Sequence, residues 1–412
     1  MKNPVVLSML GTMLEVYDFL IYSMLASFLT KVFFFHSDSY LSYLETFIVF
    51  SAGYLSRPLG GMIIGSFGDR FGRKNTLAFS LQLMAVCTFL IAFLPSYHTA
   101  GIISPILLMI IRILQGIAHG AELPGALVYV IETSKEKKRN FHSSFVFFGG
   151  GIGGCLSTLV IYILTRYFTD TQIIAFAWRI PFVIGGSLSI IAIYFRLKAS
   201  ESLLFSNLKI KEKKPLSYLI KNNASKLMLG IGITIFPVLL IILGHYLPAY
   251  LKEFTNYSSQ EIYFSMLCGT IVFTGMIPLI GYLISFISSY VVLLVVTISI
   301  LLLSSFFLVT MEVDSVLQFV VFYKLLSAIF IACYPCMVVS LFPTNIRYTG
   351  TALSYNIAFT IAAVLLFITT SLTRKFHVLT WTPALVVIAA IFNLIILTLY
   401  NKKKKINYLK HS

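Results

Sequence analysis

The sequence predicts an all-α membrane protein of twelve transmembrane helices, arranged as two pseudo-symmetric six-helix bundles. Three observations predict it. Apolar residues make up 58% of the 412 positions and charged residues only 11%, against about 25% charged in a soluble domain. A span needs about 20 mostly apolar residues, and twelve such runs can be drawn near 5–31, 43–65, 75–95, 101–131, 141–165, 175–197, 224–251, 258–284, 290–310, 315–342, 350–372 and 379–400. Basic residues concentrate in alternate segments between those runs, as the positive-inside rule requires of an inserted chain.

That charge bias orients the chain. Counting from an inside N-terminus, the inner segments hold Arg70, Arg73 and Lys74, then Lys135, Lys137, Lys138 and Arg139, the basic residues from Arg196 to Lys226, then Arg347, and finally Lys402 to Lys405 with Lys410. The outer segments hold Lys31, Arg166, Lys252, Arg374 and Lys375, with Arg179 at a border. Both termini are therefore expected in the cytoplasm. The formal charge of +16 is distributed for a bilayer rather than for nucleic acid. The first apolar run has no small-residue cleavage site behind it, so it reads as a span and not as a signal peptide.

The long polar interruption, Lys198 to Asn223, divides the chain into bundles at 1–197 and 224–400, with a cytoplasmic linker at 198–223 and a basic tail at 401–412. Equal halves joined in this way are what an internally duplicated carrier shows. Cys333 and Cys336 form a CxxC inside an apolar run, with Tyr334 and Pro335 between them. They read as packing residues, and no metal site is expected.

Ionised residues in mid-bilayer cost roughly 2.5–3.5 kcal/mol on insertion scales, so they face partners or a cavity and mark function. The first span places Glu15, Asp18 and Tyr22 on one helix face. Repulsion between two ionised carboxylates a turn apart favours a proton on one of them, which a proton-carrying site requires; spacing does not say which one. The fourth span draws a polar stripe, Arg112, Gln115, His119 and Glu122, at intervals of three, four and three. The stripe offers a cation for an anionic group, hydrogen-bonding partners and a titratable pair, although His119 alone fits packing as well as proton relay. Gly116 and Gly120 make a GxxxG on the same helix, which permits close helix approach. Arg57 in the second span needs a partner, either Asp18 or Glu15. GGGIGG at Gly149 to Gly154 lacks the strand and the GK[ST] of a phosphate loop, so it reads as close packing or a hinge. Lys324 in the tenth span serves either a substrate carboxylate or a salt bridge. Pro237, Pro248 and Pro278 are expected to kink their helices.

Between the second and third spans lies GSFGDRFGRKN, Gly65 to Asn75. An aspartate near one helix end and arginines on the neighbouring turn can latch two bundles by charge and dipole. This stretch closely resembles the loop that marks the major facilitator superfamily. Within it, LGTMLEVYDFLIY (Leu10–Tyr22), RILQGIAHGAELPGALVYVIE (Arg112–Glu132), WRIPF (Trp178–Phe182) and LFPTNIRYTGTALSYNIAF (Leu341–Phe359) resemble segments of the metabolite:proton symporter family, whose members carry proline or betaine, 2-oxoglutarate, citrate and shikimate. The resemblance implies the major facilitator fold, alternating access between the bundles and uptake of a solute with protons. It implies a transport path through Glu15, Asp18, Arg112 and Glu122, and a cytoplasmic gate at Gly65, Asp69, Arg70, Gly72, Arg73, Glu132, Arg139 and Arg347. Departures from the family pattern include Val16 where Trp is usual and Gly120-Ala121-Glu122 in place of Gly-Gly-Glu. The coiled-coil tail of osmosensing members has no counterpart here, which argues against tail-based sensing. The gate's counterpart at Gly281 to Val291, GYLISFISSYV, carries no charge.

The sequence therefore predicts a proton-coupled symporter for a small organic solute, proline or betaine or a dicarboxylate, in the bacterial inner membrane. It is expected to be a monomer with no cofactor beyond the coupling proton. An exporter or exchanger of the same fold is the alternative. A receptor would need an appended signalling module, and an enzyme a nucleophile/base set or metal ligands; no stretch supplies either.

Overall fold

A computed structural model describes residues 3–34, 49, 51–254, 257–310, 316–376 and 381–409. The start of the expected second span (43–48) and Lys410 lie outside the described residues, as do the side chains of Lys403 to Lys405. The long helices are α1 Pro4–Met24, α2 Arg57–Phe71, α3 Arg73–Phe93, α4 Ile103–Thr133, α5 Arg139–Tyr167, α6 Arg179–Leu197, α7 Pro215–Phe254, α8 Ser259–Ile284, α9 Ser289–Thr310, α10 Val316–Leu341, α11 Arg347–Phe376 and α12 Trp381–Leu409. A short helix, Ala26–Phe33, continues α1 after a break at Leu25. Among the described residues, ten helices are long and apolar enough to cross a membrane, and α9 adds a shorter apolar stretch at Ser289–Ser304.

Two boundaries differ from expectation. α7 starts at Pro215, inside the stretch read as linker, because proline suits the first helical turn, where its missing N–H removes no bond. Inside α7 the backbone leaves helical angles at Asn223 (φ −133°, ψ 21°), the last residue read as linker. α12 also runs on through the basic run to Leu409.

By contacts the chain forms two compact units. The first takes Met1–Thr133, Phe145–Tyr218 and Thr344–Ala352; the second takes Ser134–Ser144, Leu219–Pro343 and Leu353–Ser412. The opening turns of α5 thus belong to the second unit, and those of α11 to the first.

In the first unit α4 is central, packed by α1, α2 and α3, while α6 packs on α3 and α1. Its first half still turns Ile106, Met109, Ile110 and Leu114 outward. From Ala118 to Glu132 every residue is buried. Lipid tails provide no hydrophobic drive to associate, so such packing depends on backbone approach at small residues. A Cβ on Gly60 would run into the Ile117 carbonyl, on Gly116 into the Gly53 carbonyl, and on Gly120 into that of Arg57. Gly149 and Gly153 of the GGGIGG run meet the Met9 and Met13 carbonyls in the same way. Overpacking costs about 1–3 kcal/mol, so Gly116→Val is expected to lower the melting temperature of the detergent-extracted protein; unchanged melting would contradict this packing. Beyond the glycine contacts, Ile21, Leu25, Phe33, Ile91, Trp178 and Phe182 build an apolar cluster. It is tied by the Tyr17 hydroxyl, which donates to the Pro181 carbonyl at 2.9 Å.

In the second unit α8 packs on α10, and α9 on α12 and α10. Asn393 donates to Thr297 Oγ1 at 2.8 Å between α12 and α9. The α5 turns that belong here sit against the α8–α9 connection. Asn140 donates to Ser289 Oγ at 3.2 Å, the Phe141 ring meets Tyr282 edge-on, and Gly281 leaves room for Ser144.

Candidate functional site

The polar residues of α1 and α4 meet inside the first unit, sorted into three groups. Arg57 at the head of α2 donates to Glu15 Oε1 at 3.2 Å, with both side chains buried, so its partner is Glu15 rather than Asp18. Asp18 is held differently. Thr88 of α3 donates to its Oδ1 at 2.7 Å, Gln115 Nε2 donates to its Oδ2 at 2.8 Å, and His119 Nε2 lies 3.5 Å from Oδ2. Arg112 steadies this group from behind, donating to Gln115 Oε1 at 3.0 Å while its guanidinium lies 4.0 Å from the centre of the Tyr22 ring. Glu122 belongs to the third group, where Arg196 of α6 donates to it at 2.5 Å and Ser80 of α3 at 2.5 Å. A side chain on Gly11 would collide with both Glu122 and Arg196. The α4 stripe is thus divided between an Asp18 cluster and a closed Glu122–Arg196 pair.

The Gly65–Asn75 stretch forms the end of α2, a turn at Gly72 and the start of α3. Gly72 has φ +110°, in the left-handed region that side chains avoid. Asp69, fully buried, accepts from the Tyr348 and Thr349 backbone N–H groups at 3.0 and 2.8 Å, from Thr349 Oγ1 at 2.7 Å, and pairs with Arg73 at 3.2 Å. It therefore caps the first turn of α11, where unpaired N–H groups and the helix dipole favour an anion. Gly68 leaves space for the Tyr348 ring. Arg73 makes a two-point contact with Glu132, from Nε at 3.0 Å and NH2 at 3.1 Å, and also donates to the Thr344 carbonyl at 2.6 Å. Glu132 additionally accepts from Arg347 at 3.0 Å and Ser202 Oγ at 2.7 Å. Glu201 accepts from the Arg73 and Ser202 N–H groups at 3.1 and 2.8 Å, which closes the start of α3.

Of the expected gate residues, Gly65, Asp69, Gly72, Arg73, Glu132 and Arg347 converge. Arg70 does not. Arg70 is exposed and lies over the Phe71 ring, since the residue after the buried Asp69 faces outward on a helix. Arg139 begins α5 among the turns that belong to the second unit. Arg196, counted among the basic residues of the inner segments, is 1% exposed and paired. Thr88, Ser80, Glu201, Tyr348 and Thr349 went unseen. For Arg196 a signal existed, because a buried Glu122 requires a cation; the hydroxyl partners are too common in apolar helices to carry one. Lys324 sits in the second unit beside a small cavity of about 60 Å³ lined by Leu240, Ile241, Phe273, Tyr323 and Ser327. Cys333 and Cys336 are free thiols.

Two units of spanning helices, one with compensated charges buried in its interior, define an integral membrane carrier. The sequence profile of the Major Facilitator Superfamily matches residues 8–367, and the chain belongs to that superfamily. It is 31% identical over 386 residues to the proline/betaine transporter of Escherichia coli (strain K12), covering 88% of this chain and 76% of that one. It is 31% identical over 371 residues to the inner membrane metabolite transport protein YhjE of the same strain, covering 87% and 84%. Among solved structures, the proton:xylose symporter XylE bound to 6-bromo-6-deoxy-D-glucose superposes with a TM-score of 0.75 at 17% identity, covering 97% of this chain and 94% of that one. FucP in the outward conformation gives 0.71 at 14% identity, covering 97% and 98%. The superpositions show the twelve-helix fold, and the relatives show a multi-pass transporter rather than an enzyme.

Proposed function

We propose that the protein is a secondary active transporter that takes up a small organic solute, such as proline, betaine or a dicarboxylate, by proton-coupled symport and alternating access. It works as a monomer in the bacterial inner membrane with both termini in the cytoplasm. The single observation that carries the coupling is the setting of Asp18. Glu15 and Glu122 each hold a guanidinium within 3.2 Å, so protonating either would break a buried ion pair, which is unfavourable. Asp18 is held by a hydroxyl and an amide, with an imidazole at 3.5 Å. It can gain or lose a proton while these neutral partners stay bonded, and the His119 ring offers a neighbouring proton site. Arg112 keeps Gln115 aimed at it.

Reconstituted vesicles with an imposed inward proton gradient test the reading, using proline, betaine, 2-oxoglutarate, citrate and shikimate in turn. Accumulation of at least one solute above equilibrium, abolished by a protonophore, is expected. Solute-for-solute counterflow with no gradient-driven accumulation would replace symport by exchange, and gradient-driven extrusion would replace it by export.

In the same reading Asp69, Arg73, Glu132 and Arg347 form the cytoplasmic gate, which must release residues 344–352 once per cycle. Asp69→Asn removes the charge behind four contacts, and charge-assisted bonds contribute about 1.5–3 kcal/mol. Its initial uptake rate is expected to fall by roughly tenfold or more, whereas Ser289→Ala, in the uncharged counterpart turn, changes it less than about twofold. Equal effects would contradict a gate latched by charge at the Asp69 turn.

A further inference from the structure

We infer that Lys324 is the carboxylate-binding group of a small pocket in the second unit, one that takes the single carboxylate of a compact organic solute. In the first unit the buried acids have partners from the chain. The second unit presents the opposite situation. Lys324 is half-buried, its ammonium 5.6 Å from the centre of the Phe273 ring, and among the described residues no carboxylate lies within ion-pair distance of it. The acids with described side chains in this unit are committed elsewhere. Glu136 is exposed at the start of a short 3-10 helix, and Glu261 accepts from Ser258 at the head of α8.

The surroundings accommodate this lysine specifically. A Cβ on Gly244 of α7 would lie 3.3 Å from the ammonium, and one on Gly269 of α8 would lie 3.1 Å from Cγ of the lysine stem. Two helices thus give up side chains where the lysine passes. The ammonium borders the cavity of about 60 Å³. Around it the polar hydrogens are already used: the Tyr323 hydroxyl donates to the Leu240 carbonyl, and Ser327 Oγ donates to the Tyr323 carbonyl at 2.9 Å. The remaining lining, Leu240, Ile241 and Phe273, is apolar. Lys324 is therefore the strong donor of the pocket, and an anion with a hydrocarbon body complements it. A second carboxylate would find no second cation in the lining, and an ammonium group on the solute must point away from Lys324.

The inference rests on the transport reading for the identity of the occupant, but binding can be measured without transport. Purified full-length protein in detergent is titrated calorimetrically with L-proline, glycine betaine, shikimate and 2-oxoglutarate. L-prolinamide and choline serve as partners that lack the carboxylate. A monocarboxylate is expected to bind, with its cationic amide or alcohol partner at least about 10-fold weaker, the scale of a charge-assisted hydrogen bond. Lys324→Met should weaken the carboxylate by a similar factor without weakening the cationic partner compound, while Lys324→Arg retains most of the affinity. The ligand-free Lys324→Met protein should melt at or above the wild-type temperature, because the change removes a cation without breaking an internal pair. Lower melting would place Lys324 in a salt bridge within the chain and overturn the inference. So would carboxylate affinity that survives Lys324→Met, or a failure of every carboxylate to bind. Uptake experiments separate the two claims: Lys324-dependent binding without gradient-driven accumulation contradicts symport alone, and accumulation independent of Lys324 contradicts the pocket alone.

Discussion

Asp18→Asn is expected to abolish proton-driven accumulation while leaving the protein folded and able to exchange solute across the membrane. The asparagine is isosteric and keeps an oxygen for the Thr88 hydroxyl, which donates at 2.7 Å in the native protein. Its amide nitrogen would face the Gln115 nitrogen, which now donates at 2.8 Å, and an amide flip of Gln115 would repair that contact at the expense of the one from Arg112. The fold therefore loses little, within the ordinary 0.5–3 kcal/mol of a point substitution, but the group can no longer bind and release a proton. A coupled carrier without its proton site runs as an exchanger, so the diagnostic result is loss of accumulation, by about 100-fold or more, with counterflow retained. Glu15→Gln provides the contrast. It removes the buried Arg57–Glu15 ion pair and should appear first as lowered thermal stability. If Asp18→Asn accumulates solute at the wild-type level, the assignment of the coupling group is wrong.

Arg196→Ala is expected to have the largest effect on stability of any single substitution considered. It leaves Glu122 as an uncompensated carboxylate in a region where every residue of α4 is buried. Breaking a buried pair from one side costs about 3–5 kcal/mol. Loss of most monodisperse protein after detergent extraction, read by size-exclusion chromatography, is the expected outcome. Removing both charges together, Glu122→Gln with Arg196→Met, should recover much of the loss, since the cost lies in the stranded charge. A double variant no better than the sum of its parts would contradict the pairing. The outcome also decides a question of role. If Arg196→Ala stays folded and loses only proton-driven uptake, Glu122 belongs to the transport path, as spacing suggested, and not to the scaffold.

The fold was largely legible because a span is a local property. Twenty apolar residues in a row declare themselves without any knowledge of contacts. The α4 stripe was legible for a similar reason, since its intervals are those of a helix face, and all four residues are buried as read. What spacing could not supply was the choice of partners. Whether Arg57 meets Glu15 or Asp18 depends on how α1 and α2 are rotated against each other, which the glycine contacts with α4 set and which no run of one chain encodes. The pairing of Arg196 went unseen for a related reason: a cation at the end of a span looks like one more inner-segment charge until the buried Glu122 requires a partner. The Asp69 cluster was legible on the Asp69 side and hidden on the other. Asp69 is bonded to two backbone N–H groups of α11, and backbone groups leave no mark in a sequence.

The central claim, that solute and proton move together through Asp18, is tested most directly by following external pH as solute is added to de-energised vesicles with no gradient imposed. The account predicts a transient external alkalinisation with the wild-type protein, in step with solute influx, and none with Asp18→Asn. Solute influx through the wild-type protein without proton movement would contradict it.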